Sequence, residues 1–156
     1  MFAKLEEKLY VGLKMFAFLL MLMMVAVIFS QVIARYALGN SLSWSEEIGR
    51  HLFVWMTFLG AALAVRNKAH VALDLFINLL PQKVQKLPLL LSFLVMMIFA
   101  AVLIHAGVQM ITLGSRQISA ALQLPMKYVY IILPVSGTLI IFYLLKNLYE
   151  ALAARR

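Results

Sequence analysis

The chain has 156 residues, 65% of them hydrophobic and 13% charged, with a net charge of +8 and no cysteine. Soluble domains average about 45–50% apolar and about 25% charged, and so short a chain has more surface than interior. The composition therefore excludes a water-solvated globule, and the absence of cysteine excludes a disulfide framework, a thiolate metal site and a cysteine nucleophile.

A basic start, Lys4, Lys8 and Lys14, precedes the apolar run Met15–Ala34. That order resembles a secretory signal, but the run exceeds the usual h-region of about 7–15 residues and shows no small-x-small cleavage site before Arg35. It reads as a retained first helix over residues 10–38, broken by Gly39-Asn40-Ser41. The second helix, 45–67, has an uncharged part, Leu52–Val65, that is too short to span alone. To cross, it must carry Arg50, His51, Glu46 and Glu47 into one membrane boundary.

Next come His70, Asp74 and Asn78 at four-residue spacing in an otherwise apolar stretch that ends at Pro81. One polar stripe on a greasy segment predicts a short amphipathic interfacial helix at 70–80. The alternative is an extension of the second or third helix. The third helix is expected at 87–113, with Pro88 in its first turn, where a missing N–H costs nothing. The fourth is expected at 127–149, kinked at Pro134 unless a neighbour satisfies the freed carbonyl. The fold class is all-α: a single transmembrane domain, 1–156, of four transmembrane helices.

Four spans place both termini on one side. That side carries Lys4, Lys8, Lys14, Arg66, Lys68, Lys83, Lys86, Lys146, Arg155 and Arg156, against Arg35, Arg50, Arg116 and Lys127 on the other. The bias predicts both termini in the cytoplasm, N-in and C-in, and it accounts for the positive charge without nucleic acid.

The densest polar cluster is Ser43-Trp44-Ser45-Glu46-Glu47-Ile48-Gly49-Arg50-His51. Ser43 with Glu46 fits a capping box, and two acids suit the positive end of a helix dipole. Trp44 stands where an interfacial aromatic belongs. Glu46 and Arg50 share a helix face, as do Glu47 and His51. Capping does not account for Arg50, which needs a carboxylate, a route to the interface, or another protein. A Glu46–Arg50 pair within the helix and a pair reaching another subunit both fit. Arg35 joins the same network or simply snorkels.

His51 and His105 on facing helices would be the minimum for a bis-histidine haem, although a helical histidine is more often a packing residue with a hydrogen bond. No acid falls mid-span, no two helices carry matched breaks, and no Ser/His/Asp, Walker or HExxH pattern occurs. The chain reads as neither an enzyme nor a transporter by itself, and no cofactor is expected. Gly60 with Ala64, and Ala100, Ala101, Ala106 and Gly107, are small residues suited to close helix packing.

Arg35-Tyr36, Ser43-Trp44-Ser45-Glu46-Glu47-Ile48-Gly49-Arg50, Phe53-Val54-Trp55, Phe58-Leu59-Gly60-Ala61, His70-Val71 and Leu124-Pro125-Met126 with Tyr128 together resemble the small, DctQ-type membrane subunit of tripartite ATP-independent periplasmic (TRAP) transporters. The likeness covers nearly the whole chain, and Trp-x-Glu-Glu-x-x-Arg is its most specific part. It implies a multi-pass protein of the bacterial inner membrane. It also implies two partners besides lipid: a large, DctM-type transport subunit and a periplasmic substrate-binding protein. The system would import an organic acid, such as a C4-dicarboxylate, sialic acid or another acidic sugar, on a sodium gradient, with this chain as membrane scaffold and docking aid. On that resemblance Arg35, Trp44, Glu46, Glu47 and Arg50 are candidates for the interface with the large subunit. Asn40, Ser41, Arg116, Gln117 and Lys127 are candidates for docking the binding protein. The competing classes are a haem-bearing anchor of a redox complex, which a Soret band would establish, and a self-contained small exporter, which transport by this chain alone would establish.

Overall fold

The computed structural model describes residues 2–37, 39, 42–67 and 86–153. The proposed interfacial helix at 70–80 lies outside them, as do His70, Asn40 and Ser41. Helix α1 runs Phe2–Ala37, α2 Ser43–Arg66, α3 Lys86–Gly114, the short α4 Lys127–Tyr130, and α5 Ile132–Ala153. Among the described residues, four stretches are long and apolar enough to cross a membrane: Lys4–Ala37, Ser43–Arg66, Leu90–Gly114 and Lys127–Tyr149. At about 1.5 Å per residue, each exceeds the roughly 30 Å of a hydrocarbon core.

Local chemistry sets the helix ends. After α1, Gly39 takes the left-handed conformation, φ +65°, which a glycine past a helix C-terminus adopts without a Cβ penalty. The start of α2 differs from expectation. Leu42 is the N-cap and contributes no side-chain cap bond, while Ser43 is already helical. The Ser45 hydroxyl instead donates to the Leu42 carbonyl at 2.7 Å. The capping box does not form because the helix starts one residue early, which puts Ser43 inside the first turn and Glu46 one position beyond N3; the Glu46 carboxylate turns to α1, as described below.

The fourth span is interrupted at Ile131, between α4 and α5. This break puts Pro134 in the first turn of α5, where its missing N–H has no intrahelical partner to lose. A neighbour also serves the interrupted turn: Trp55 Nε1 of α2 donates to the Val129 carbonyl at 3.2 Å. Between α3 and α4 the chain folds into a tight hairpin. Met126 N donates to the Gln117 carbonyl and Ser119 N to the Leu124 carbonyl, both at 2.9 Å. Gln123 closes the turn with a left-handed φ of 55°.

The helices pack as an open row. Among the described residues α1 lies on α2, α2 on α5, and α5 on α3, and no other pair of long helices makes an extensive contact. The buried core follows the middle of the row: Ala62 and Val65 of α2, Ala100 of α3, and Ile140, Tyr143 and Leu144 of α5, with a second cluster at Leu20, Leu59 and Ile132. The α3–α5 contact is the tightest. A Cβ at Gly137 would stand 2.7 Å from an Ile104 side-chain carbon and 2.9 Å from the Ala100 carbonyl oxygen, and one at Gly107 would stand 2.6 Å from the Pro134 ring. Ala100 and Gly107 thus serve packing as expected. Gly60 does not: it is exposed, with nothing within 4 Å of a Cβ built there, because the face of α2 that meets its neighbours carries Leu59, Ala62 and Val65 instead.

Candidate functional site

Two polar clusters occupy opposite ends of the row. The loop end holds the C-terminus of α1, the N-terminus of α2 and the hairpin after α3. The terminal end holds the N-terminus of α1 and the C-termini of α2 and α5.

At the loop end the two adjacent glutamates of α2 diverge. Glu46 turns to α1, where its Oε1 accepts from Gln31 Nε2 at 2.8 Å and pairs with Arg35 at 2.9 Å. Glu47 turns the other way. Its Oε2 accepts from the backbone N–H of Ala121 at 2.7 Å and of Leu122 at 3.1 Å. The Ser119 hydroxyl lies beside the same carboxylate, and His51 Nε2 stands 3.9 Å from Oε1. Residues next to each other on a helix point about 100° apart, so one glutamate ties α2 to α1 and the other ties it to the hairpin.

Of the pairings left open for Arg50, the one within the helix does not form, and Arg35 joins Glu46 instead. Glu46 meets Arg35 and not Arg50, because an arginine from the neighbouring helix reaches the carboxylate with Gln31 already beside it. Arg50 is exposed and has neither a hydrogen bond nor an ion pair among the described residues. It lines an open cavity of about 490 Å³ with Glu46, Glu47, His51, Ala120 and Tyr130. Trp44 is also exposed. Arg116 and Gln117 are exposed at the start of the hairpin, and Lys127 lies over the Tyr128 ring at 5.1 Å. The structure therefore brings Arg35, Glu46, Glu47 and Arg50 to one end of the row and holds all but Arg50 in contacts within the chain.

The haem alternative does not survive the geometry. His51 Nε2 stands 3.9 Å from Glu47 on α2, whereas His105 sits on the exposed side of α3 beside Gln109. α5 separates the two helices. Among the described residues no group of three or more His, Cys, Asp or Glu is placed to hold a metal ion.

The terminal end carries a cluster that the sequence reading passes over. Glu6 of α1 accepts from Arg66 Nε of α2 at 3.0 Å through one oxygen and pairs with Lys146 of α5 at 2.7 Å through the other. Arg66 also pairs with Glu7 and lies 3.6 Å above the Tyr10 ring. Asn147 Nδ2 donates to the Val65 carbonyl at 2.9 Å, taking up one of the last carbonyls of α2. One buried carboxylate thus joins three helices. The signal for it was modest: Glu6 and Glu7 are two of only six acids in the chain.

Fold and clusters together describe a multi-pass, all-α membrane protein in which, among the described residues, the carboxylates of Glu6, Glu46 and Glu47 join helix to helix or helix to loop. Residues 24–154 match the family described as tripartite ATP-independent periplasmic transporters, DctQ component. The chain belongs to that family, and is a transporter component and not an enzyme. It is 24% identical over 154 residues to a putative TRAP transporter small permease protein of Haemophilus influenzae, covering 96% of this chain and 93% of that one. It is 30% identical over 140 residues to the sialic acid TRAP transporter small permease protein SiaQ of Vibrio cholerae, covering 84% and 76%. It is also 31% identical over 116 residues to the sialic acid TRAP transporter permease protein SiaT of Haemophilus influenzae. That match takes in 74% of this chain but spans only 19% of SiaT.

Proposed function

We propose that this chain is the small permease subunit of an inner-membrane importer for an organic acid. It packs beside a large, DctM-type subunit that moves the substrate on a sodium gradient, and it helps dock a periplasmic binding protein. Both termini lie in the cytoplasm, which the distribution of lysine and arginine supports. The loop end then faces the periplasm. A sialic acid, as named for SiaQ, or a C4-dicarboxylate, as named for a relative in Rhodobacter capsulatus, represents the substrate class.

The open row is the observation that carries this reading. Helices laid side by side in a row enclose no interior through which a solute could pass, so a chain of this family built in this way serves as a wall for a pathway held by another subunit. Trp44 and Arg50, uncommitted at the loop end, are the foremost interface residues, with Arg35, Glu46 and Glu47 holding the surface around them. Arg116, Gln117, Lys127, Asn40 and Ser41 provide the docking side.

Co-expression with the large subunit and the binding protein, followed by uptake in proteoliposomes, tests the proposal. The three components together should take up the acid in a sodium-dependent way, and omission of this chain should abolish uptake. Uptake by the large subunit and binding protein alone would refute the scaffold role. Transport by this chain alone would refute the subunit reading altogether.

A further inference from the structure

The two outer helices of the row differ in what they expose. The middle of α1, from Phe16 to Phe29, is apolar throughout, and its first polar residue beyond, Ser30, bonds its own helix at Ala26. α3 presents a polar pair instead: Gln109 Nε2 lies 3.2 Å from His105 Nε2, and both residues are exposed. At 3.6 residues per turn they stand about 140° and 180° around the axis from buried Ala100. They point away from α5, off the edge of the row. His105 lies about 22 Å along the helix from Leu90 and about 14 Å from Gly114, the limits of the span, and so well inside the hydrocarbon.

The pair does not exhaust its own bonding capacity. Among the described residues, one imidazole nitrogen and at least one amide atom have no partner, whichever way the amide is turned. Thr112, on the same side, satisfies its hydroxyl at the Val108 carbonyl, so the surplus belongs to His105 and Gln109 alone. Lipid tails offer nothing to such groups. Polar side chains at this depth face protein, and they bond across helix contacts.

We infer that the α3 edge, centred on His105 and Gln109, is the surface against which a transmembrane helix of the large permease subunit packs, presenting a hydroxyl or amide to the pair, while the apolar middle of α1, Phe16 to Phe29, faces lipid. The inference rests on the proposed subunit role and supplies its missing geometry: within the hydrocarbon the partner continues the row at α3, and it reaches Trp44 and Arg50 only at the loop end.

The test uses a photo-crosslinking phenylalanine derivative at exposed positions. It is placed at Ile98, Val102 or Thr112 on α3, and at Phe18 or Val25 on α1, in the chain co-expressed with the large subunit and irradiated in the membrane. Adducts to the large subunit from the α3 positions and not from α1 are expected. Adducts to a second copy, to lipid only, or from α1 only overturn the inference. In parallel, His105→Leu combined with Gln109→Leu should weaken the complex by roughly 3- to 15-fold, the range of hydrogen bonds between membrane helices, without lowering the thermal midpoint of the isolated chain. Unchanged affinity overturns it as well. Wild-type chains that do not co-purify would refute the subunit role. Co-purification without α3 adducts would refute only the edge assignment.

Discussion

Gly60 and Gly137 offer one substitution with opposite outcomes. Replacing a helical glycine by alanine gains about 0.5–1 kcal/mol by reducing the freedom of the unfolded backbone. At Gly60 the new methyl meets nothing within 4 Å, so Gly60→Ala should keep that gain. At Gly137 the methyl falls 2.7 Å from Ile104 and 2.9 Å from the Ala100 carbonyl oxygen. The Ile104 side chain can turn aside, but a helix carbonyl cannot. α3 and α5 must then separate by several tenths of an ångström along their tightest contact, and overpacking of this kind costs about 1–3 kcal/mol. Less the backbone gain, Gly137→Ala should be destabilising by about 1 kcal/mol or somewhat more, leaving a gap of about 2 kcal/mol between the two variants. Thermal unfolding in one detergent reads this as midpoints about 4–8 °C apart, at roughly 2–4 °C per kcal/mol for a chain of this size. Equal midpoints would show that α3 and α5 do not approach through Gly137, and the open row would need another seam.

Glu6→Ala leaves Arg66 and Lys146 without their shared carboxylate and should lower stability by about 2–3 kcal/mol, less than a fully dehydrated pair because both cations reach solvent; chemical unfolding in micelles measures it, and a loss below 0.5 kcal/mol would refute the three-helix joint. Glu47→Ala removes the acceptor of the Ala121 and Leu122 amides, whose hydrogen exchange should quicken about tenfold. Glu47→Gln should preserve most of their protection, since both amides bond the same oxygen, and equal exchange in all three proteins would disprove the anchor. A double-mutant cycle with Arg35→Ala and Glu46→Ala should give a coupling of about 0.2–1 kcal/mol, as for other exposed pairs. The same cycle with Arg50→Ala should give none.

Much of this architecture is legible in the sequence because lipid permits so few solutions. A chain that must satisfy its backbone internally over some 30 Å has to write long apolar runs, and the four spans follow from them. The Ser43–His51 cluster was visible for the same reason, as charge where charge is expensive. Its wiring was not. The i, i+4 rule favours Glu46 with Arg50, yet Arg35 and Gln31 arrive from α1, and the amides that hold Glu47 come from a hairpin far along the chain. Glu6 carries no local mark at all, since its partners are delivered by α2 and α5. Gly60 misled in the opposite way. Its small-residue spacing was real, but spacing does not say which face of a helix turns inward.

A chain whose helices meet in the order α1, α2, α5, α3 is two helical hairpins laid side by side. Each hairpin is made of spans that are neighbours in sequence, and one extensive joint, α2 against α5, unites them, with Glu6 of α1 reaching Lys146 of α5 beside it. Among the described residues, the polar contacts between the two halves include Trp55 with Val129, Asn147 with Val65, Glu47 with the α3–α4 turn, and Glu6 drawing Lys146 toward Arg66. Each hairpin has the elements to enter the bilayer on its own, and the second needs only to find the first. Assembly would then be decided by recognition between two preformed halves, and an injury to the joint would produce inserted but unmatched hairpins in place of an unfolded chain.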